Sequence, residues 1–194
     1  MNYYLASLVL LIPSLTACSQ SEPDAGDFAM QFTESVAVCN AALSNMSMVS
    51  ARRGPLSGGR IGNASAMVEV ALEDCEASQT GLERLSAPNL PSPFMGEVDD
   101  ALQICRTGVG NAVEGLRSAK ALLGLGRDFT PSEGKSFVDA VGAYQNVSSD
   151  YLEPCYQKGL MALADGGTPW DVAQLQNRTT EIFASSEDEM NSVY

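Results

Sequence analysis

Four cysteines, Cys39, Cys75, Cys105 and Cys155, are separated by 36, 30 and 50 residues, and a fifth, Cys18, stands apart near the N-terminus. Thiols at such intervals can do two things if the fold brings them together. They can close as disulfides, or gather into a four-thiolate metal site. Structural zinc sites draw ligands from close C-x-x-C pairs, and no such pair is present, so the spacing favours disulfides and no metal. The chain has no histidine. That removes the commonest general base, the commonest metal ligand and the physiological pH switch together. Ser57 lacks a G-x-S-x-G context and has no histidine to activate it. Gly54 to Gly62 (GPLSGGRIG) has the glycine density of a phosphate loop, but Arg60-Ile61 stands where Lys-Ser/Thr is required. The acids Glu73, Asp74 and Glu76, and Asp99 with Asp100, lie beside apolar stripe positions, mostly on solvated faces. The expectation is no catalytic residue, no metal and no diffusible cofactor.

The elements that would position the thiols read as helix after helix. Over about 27–50, Phe32, Val36, Cys39, Leu43 and Met46 are spaced 4, 3, 4, 3, one stripe facing a partner helix. Residues 51–62 hold Arg52, Arg53, Pro55 and four glycines, a loop by composition. A second helix, about 63–86, carries Val68, Ala71, Cys75, Ser78, Leu82 and Leu85, with Asn63 as a candidate cap. Ala87 to Ser92 is a breaker segment. A third helix, about 93–124, with Ser92 as cap and Pro93 in its first turn, carries Val98, Leu102, Cys105, Val109, Ala112, Leu116, Ala119 and Leu123. Thr130-Pro131-Ser132-Glu133 is a capping box opening a fourth helix with Phe137, Val141, Tyr144, Ser148, Tyr151 and Cys155 at heptad spacing. Pro154 should kink or split it. Gly166-Gly167 stops it. Thr168-Pro169-Trp170-Asp171 starts a short fifth helix with Val172, Leu175, Ile182 and Phe183 inward, and 186–194 reads as an acidic, fraying tail. No β-branched alternation exceeds four residues, so no sheet is expected. The predicted class is all-α: an antiparallel up-down four-helix bundle, residues 28–185, with a short fifth C-terminal helix.

Each inner cysteine falls on the buried stripe of a different helix. At ~1.5 Å rise per residue, Cys39, Cys75 and Cys105 sit near one level, whereas Cys155 lies about five residues, roughly 7 Å, too far along a straight helix. Gly108, Gly110, Gly115, Gly142 and Gly159 fall inside helices, each costing roughly 1 kcal/mol relative to Ala unless it allows close approach.

The N-terminus supplies the compartment. Leu15-Thr16-Ala17-Cys18 ends an uncharged, mostly apolar run, Leu5 to Leu15, too short to span a bilayer as a helix, and a polar stretch, Ser19 to Asp27, follows. This pattern resembles the signal peptide and lipobox of bacterial membrane lipoproteins. Met1-Asn2-Tyr3-Tyr4 departs from it in carrying no Lys or Arg. The resemblance implies removal of residues 1–17, lipidation of Cys18, a flexible tether over 18–27 and a membrane anchor. Ser19 in place of Asp implies the periplasmic face of the outer membrane. The mature part is then 177 of the 194 residues, enough for one domain with a core. In an oxidising compartment a layer of four thiols should pair. Two connectivities join adjacent helices: Cys39–Cys75 with Cys105–Cys155, or Cys75–Cys105 with Cys39–Cys155. Chain entropy, on the order of 4 kcal/mol per bridge, does not choose between them. The first is favoured because each bridge staples one local hairpin.

Charge bounds the partners. With 24 acids, 11 bases and a net −13, the body should bind neither nucleic acid nor anionic lipid. In an up-down arrangement one end gathers Arg52, Arg53, Arg60, Arg117, Lys120, Arg127 and Lys135. The tethered end gathers Glu22, Asp24, Asp27, Glu97, Asp99, Asp100, Asp165 and Asp171. Arg52, Arg53, Arg60 and Arg127 are therefore a candidate partner-binding tip. The expected function is non-enzymatic: a lipid-anchored envelope protein that binds a protein or peptidoglycan partner. A more specific version is an inhibitor or immunity protein that neutralises a periplasmic toxin or hydrolase.

Overall fold

The computed structural model describes residues 24–53, 61–125, 130–167 and 170–193. The signal segment, Cys18, the tether before Asp24, Arg60 and Arg127 lie outside them. The regular elements of the described residues are all helical: α1 (Ala25–Arg53), α2 (Ile61–Arg84), α3 (Phe94–Leu123), α4 (Pro131–Gln145), a π-helical turn (Ser148–Leu152), α5 (Glu153–Asp165) and α6 (Val172–Val193). None of these helices is long and apolar enough to cross a membrane.

The periodic stripes of the first three helices form the core. Phe32, Val36, Cys39, Leu43 and Met46 of α1 are buried, as are Val68, Ala71, Cys75, Ser78, Leu82 and Leu85 from α2 and its end, and all eight stripe residues of α3. At about 1.5–3 kcal/mol for a fully buried large aliphatic or aromatic side chain, these stripes are the main stabilising term. The contacts of α1 with α2, α2 with α3 and α3 with α5 pair rising with falling residue numbers, so each of these pairs runs antiparallel. Cys39 N–H donates to Ser78 Oγ at 3.0 Å between α1 and α2. Between α2 and α3, Arg117 pairs with Glu76 at 2.7 Å and Lys120 with Glu69 at 2.7 Å. Lys158 of α5 reaches Asp100 of α3 at 3.2 Å. The Arg106 guanidinium of α3 donates to the carbonyls of Leu82 (2.9 Å) and Leu85 (2.7 Å), closing the C-terminal end of α2 where backbone acceptors have no helical partner.

The fourth predicted helix is two helices. Pro154 has no N–H, and its ring would crowd the carbonyl four residues back in a continuous α-helix. The chain widens instead into the π-helical turn, where Glu153 N–H donates to the Ser148 carbonyl. The extra residue shifts the inward face. Ala140, Tyr144 and Val147 are buried before the turn, and Leu152, Cys155, Ala162 and Leu163 after it, while Phe137, Val141, Ser148 and Tyr151 of the expected stripe are only half-buried. The capping box forms as read. Thr130 Oγ1 accepts from Glu133 N–H at 3.3 Å, and Glu133 accepts from Thr130 N–H at 2.8 Å. At α3 the cap differs: Pro93, not Ser92, occupies the N-cap position, with no side-chain hydrogen bond.

The C-terminal region is the larger correction. The short helix and acidic tail are one helix of 22 residues, with Ser186 and Met190 buried well beyond the expected domain end at 185. Val172, read as inward, is exposed. The helix packs mainly on α1, where Arg178 bonds Glu34 at 2.6 Å and Asn45 Nδ2 donates to the Phe183 carbonyl at 3.0 Å.

Candidate functional site

The frame around the site is set by the thiols. Cys39 is bonded to Cys75 and Cys105 to Cys155, with Cα separations of 4.4 and 5.5 Å. All four are fully buried. The first bridge ties α1 to α2, and the second ties α3 to α5 just past the π-helical turn. The level of Cys155 follows from which end is counted. It lies ten residues before the end of α5 at Asp165, and Cys105 lies eleven after the start of α3 at Phe94. From that end the two thiols are level, and the apparent excess belongs to the far end, in α4 and the π-helical turn.

Onto this frame α6 docks along α1, and a recess opens on each side of it. On the α5 side is a cleft of about 240 Å³ between α1, the π-helical turn, α5 and α6. Its walls are Val36, Ala37, Leu152 and Phe183, and its polar groups are Thr33, Asn40, Glu153, Tyr156 and Thr179. The polar atoms are partly committed. Thr33 Oγ1 donates to the Tyr156 hydroxyl at 3.4 Å, and Ser148 Oγ donates to Asn40 Oδ1 at 2.5 Å. Leu152 of the π-helical turn forms one wall of the cleft, and elsewhere on the α1–α5 contact Gly159 lets α5 approach the Phe32 ring, where a Cβ would come within 2.6 Å of Phe32 Cε1. An apolar pocket with a few fixed hydroxyls and one carboxylate at its margin suits an apolar side chain with a polar neighbour.

On the α2 side is a second, acidic recess of about 180 Å³. Asp74 of α2 faces Glu189 of α6 across it, with Val38 of α1 and Ile182 of α6 as apolar walls. The Asp74 carboxyl is pushed up to about 6, first by burial and then by the charges of Glu189 and Glu73. Ser186 is only 6% exposed, and its hydroxyl has no hydrogen-bond partner among the described residues. Glu181, at the same recess, is engaged by Arg178, which also holds Glu34.

The tip expected from sequence is described only in part. Arg52 and Arg53 lie in the last turn of α1, but their side chains, like Arg60 and Arg127, fall outside the described residues. Arg117 and Lys120 are described, and each is paired with a glutamate of α2, so their charges are locally compensated. The acidic recess escapes sequence reasoning because Ser186 and Glu189 lie beyond the expected end of the last helix, and the apolar cleft because the π-helical turn beside it is not expected. The signal was present: Leu175, Thr179, Ile182, Ser186, Met190 and Val193 are spaced 4, 3, 4, 4, 3. No protein-family model, curated protein or solved structure matches the chain.

Proposed function

We propose that this chain is a non-enzymatic, lipid-anchored protein of the bacterial cell envelope that acts by binding another protein. In this reading Cys18 carries the lipid, the residues between it and the start of α1 at Ala25 form a tether shorter than the expected 18–27, and the protein stands on the periplasmic face of the outer membrane. Its first five helices act as an antiparallel up-down four-helix bundle, with α4 and α5 together as the fourth member. The observation that carries the binding role is the cleft of about 240 Å³ beside the π-helical turn. It is apolar and open to solvent, and its α1 and α5 walls are each tied by a disulfide to a neighbouring helix, which limits the ordering cost of receiving a partner side chain on that side. The occupant proposed is an apolar side chain of a partner protein, with its backbone polar groups near Thr179 and Glu153.

A second, narrower reading is an inhibitor or immunity protein directed at a basic toxin or hydrolase. The net charge of −13 and the acidic recess beside α6 favour it, since like-charged partners are repelled and basic ones steered in.

The test is photo-crosslinking in living cells, with a photoreactive residue placed at Thr179 or Glu153, or at Gln103 on the exposed side of α3. A discrete adduct from the two cleft positions and none from Gln103 is expected, identified by mass spectrometry. Equal adducts from all three positions, or none, would remove the cleft as the binding surface. Cys18→Ala tests the anchor separately: membrane association that survives the substitution removes the lipoprotein reading.

A further inference from the structure

We propose that the acidic recess between α1, α2 and α6 is a receptor for a primary ammonium group, the side chain of a lysine on a partner protein. The inference deepens the binding role proposed above and rests on it for the identity of the partner, but the site itself stands on its own geometry. Asp74 and Glu189 supply two carboxylates from different helices, and Ser186 supplies a buried hydroxyl. An unpaired buried hydroxyl costs roughly 1–3 kcal/mol, so Ser186 is a group left waiting for a partner. An ammonium has three donors and no acceptor, which matches these three oxygen groups in number and kind. Val38 and Ile182 supply the apolar walls along which a lysine's methylene stem can lie while its charged end reaches the oxygens.

The surrounding charges favour a single positive group. On α2, Glu73 adds its field to that of Asp74; on α6, Glu189 faces it, and Glu181 is already shared with Arg178; on α1, Val38 is the wall and Glu34 is held by Arg178. Among the described residues, no cation is bonded to Asp74, Glu73 or Glu189. Among the described residues no three His, Cys, Asp or Glu side chains come together closely enough to hold a metal ion. A hard cation needs several oxygens at 2.0–2.6 Å, whereas an ammonium donates hydrogen bonds near 2.9 Å to fewer groups. The arrangement thus selects an organic cation over calcium or magnesium. Proton and ammonium compete for the same site: burial and then the charges of Glu189 and Glu73 raise Asp74, and either positive group neutralises the carboxylate that they disfavour.

The experiment uses the full chain in detergent, isotope-labelled for NMR, at low ionic strength. The probe is n-butylammonium, with n-butanol as the neutral counterpart, ethylguanidinium as the arginine mimic and calcium chloride as the metal arm. Saturable shifts confined to residues around 38, 74 and 182–189 are expected with n-butylammonium and not with n-butanol. Binding should weaken about tenfold for each unit that pH falls below the midpoint of Asp74. It should weaken at least about tenfold in Asp74→Asn and several-fold in Ser186→Ala, a residue that carries no charge. Should Asp74→Asn fail to fold, Glu189→Gln at an exposed position replaces it and should also weaken binding. Unchanged binding in both Ser186→Ala and the carboxylate variant overturns the proposal, as does equal response to n-butanol. Tighter binding of ethylguanidinium or calcium overturns the assignment to lysine. Partner capture that fails while n-butylammonium still binds would count against the proposed function and not against this site.

Discussion

Gly108 and Gly110 lie two residues apart in α3 and should respond to alanine with opposite signs. At Gly110 nothing lies within 4 Å of where a Cβ would be placed. Alanine there gains only helix propensity, about 1 kcal/mol, and should stabilise. At Gly108 a Cβ would overlap the Tyr151 Cβ and sit 3.1 Å from its Cγ and 3.4 Å from Leu152 Cδ2. A Tyr Cβ is fixed to the backbone and cannot swing aside as a side-chain tip can. Relief requires α3 and the π-helical turn to separate, and the bridge from Cys105 to Cys155 holds those elements together one turn away. Overpacking of this kind costs about 1–3 kcal/mol, and the tie argues for the upper part of that range. Against the propensity gain, the net for Gly108→Ala is a loss of about 2 kcal/mol, and the two variants should differ by about 3 kcal/mol. In a chain of this size that is roughly 6–12 °C in Tm. The assay is urea denaturation followed by circular dichroism with the disulfides oxidised, comparing midpoints at equal slope. Gly108→Ala as stable as Gly110→Ala would refute the close approach of α3 to the turn.

The remaining predictions address the staples, the α2 terminus and the acidic recess. Replacing Cys39 and Cys75 together by Ala should lower stability by about 4 kcal/mol for a closed loop of 36 residues, read from the same denaturation curves; a loss under 1 kcal/mol would mean the unfolded chain is already constrained there. Arg106→Ala should cost about 2 kcal/mol, because it strips charged donors from the Leu82 and Leu85 carbonyls, and hydrogen exchange should accelerate first in the last turn of α2. The Asp74 carboxyl lies near 6 in the folded chain against 3.8 unfolded, so the folded state binds the extra proton. Its contribution is fully present below about pH 3.8 and is lost as pH rises through 6. Asp74→Asn should therefore be more stable than the parent at pH 7.5, by about 1 kcal/mol once solvent screening of this half-exposed group is allowed for, and should flatten the slope between pH 4 and 6. An unchanged slope would show that Asp74 is not the titrating group.

What the sequence made legible follows from local periodicity. The stripes of α1, α2 and α3 are uninterrupted, so the buried face could be read residue by residue, and the cysteines on those stripes had to share the interior. The capping box at Thr130 was legible because its whole geometry lies within four residues. The stripe from Phe137 to Cys155 failed because one proline changes the helical period ahead of it, and a π-helical turn has no sequence signature of its own. Tyr144 and Cys155 of that stripe are buried as expected, but Pro154 did not announce that Val147 and Leu152, and not Val141, Ser148 and Tyr151, would join them. The end of α6 was lost for a different reason. Its inward positions are thinned to Ser186, Met190 and Val193 among four acids and amides, Glu187, Asp188, Glu189 and Asn191, so composition outweighed spacing.

That thinning has a mechanical consequence. The helices α1, α2, α3 and α5 are each tied by a disulfide to a neighbour and contribute long apolar stripes. In α6 only Leu175, Ser186 and Met190 are buried, and one of those three is a hydroxyl without a partner. Local opening free energy tracks buried apolar contact, so α6 should be the first element to exchange and the stapled helices the last. Both recesses share α6 as a wall. Their shape is therefore set by how α6 seats, while the opposite walls stay fixed. A ligand that spans α6 and α2, as an ammonium held by Asp74 and Glu189 would, stabilises the seated form and with it the apolar cleft on the other side. Hydrogen exchange in 175–190 should accordingly slow when n-butylammonium is added, and exchange around Cys75 and Cys105 should not. Equal slowing in both regions would show that α6 is as firmly held as the frame it rests on, and that the two recesses do not communicate through it.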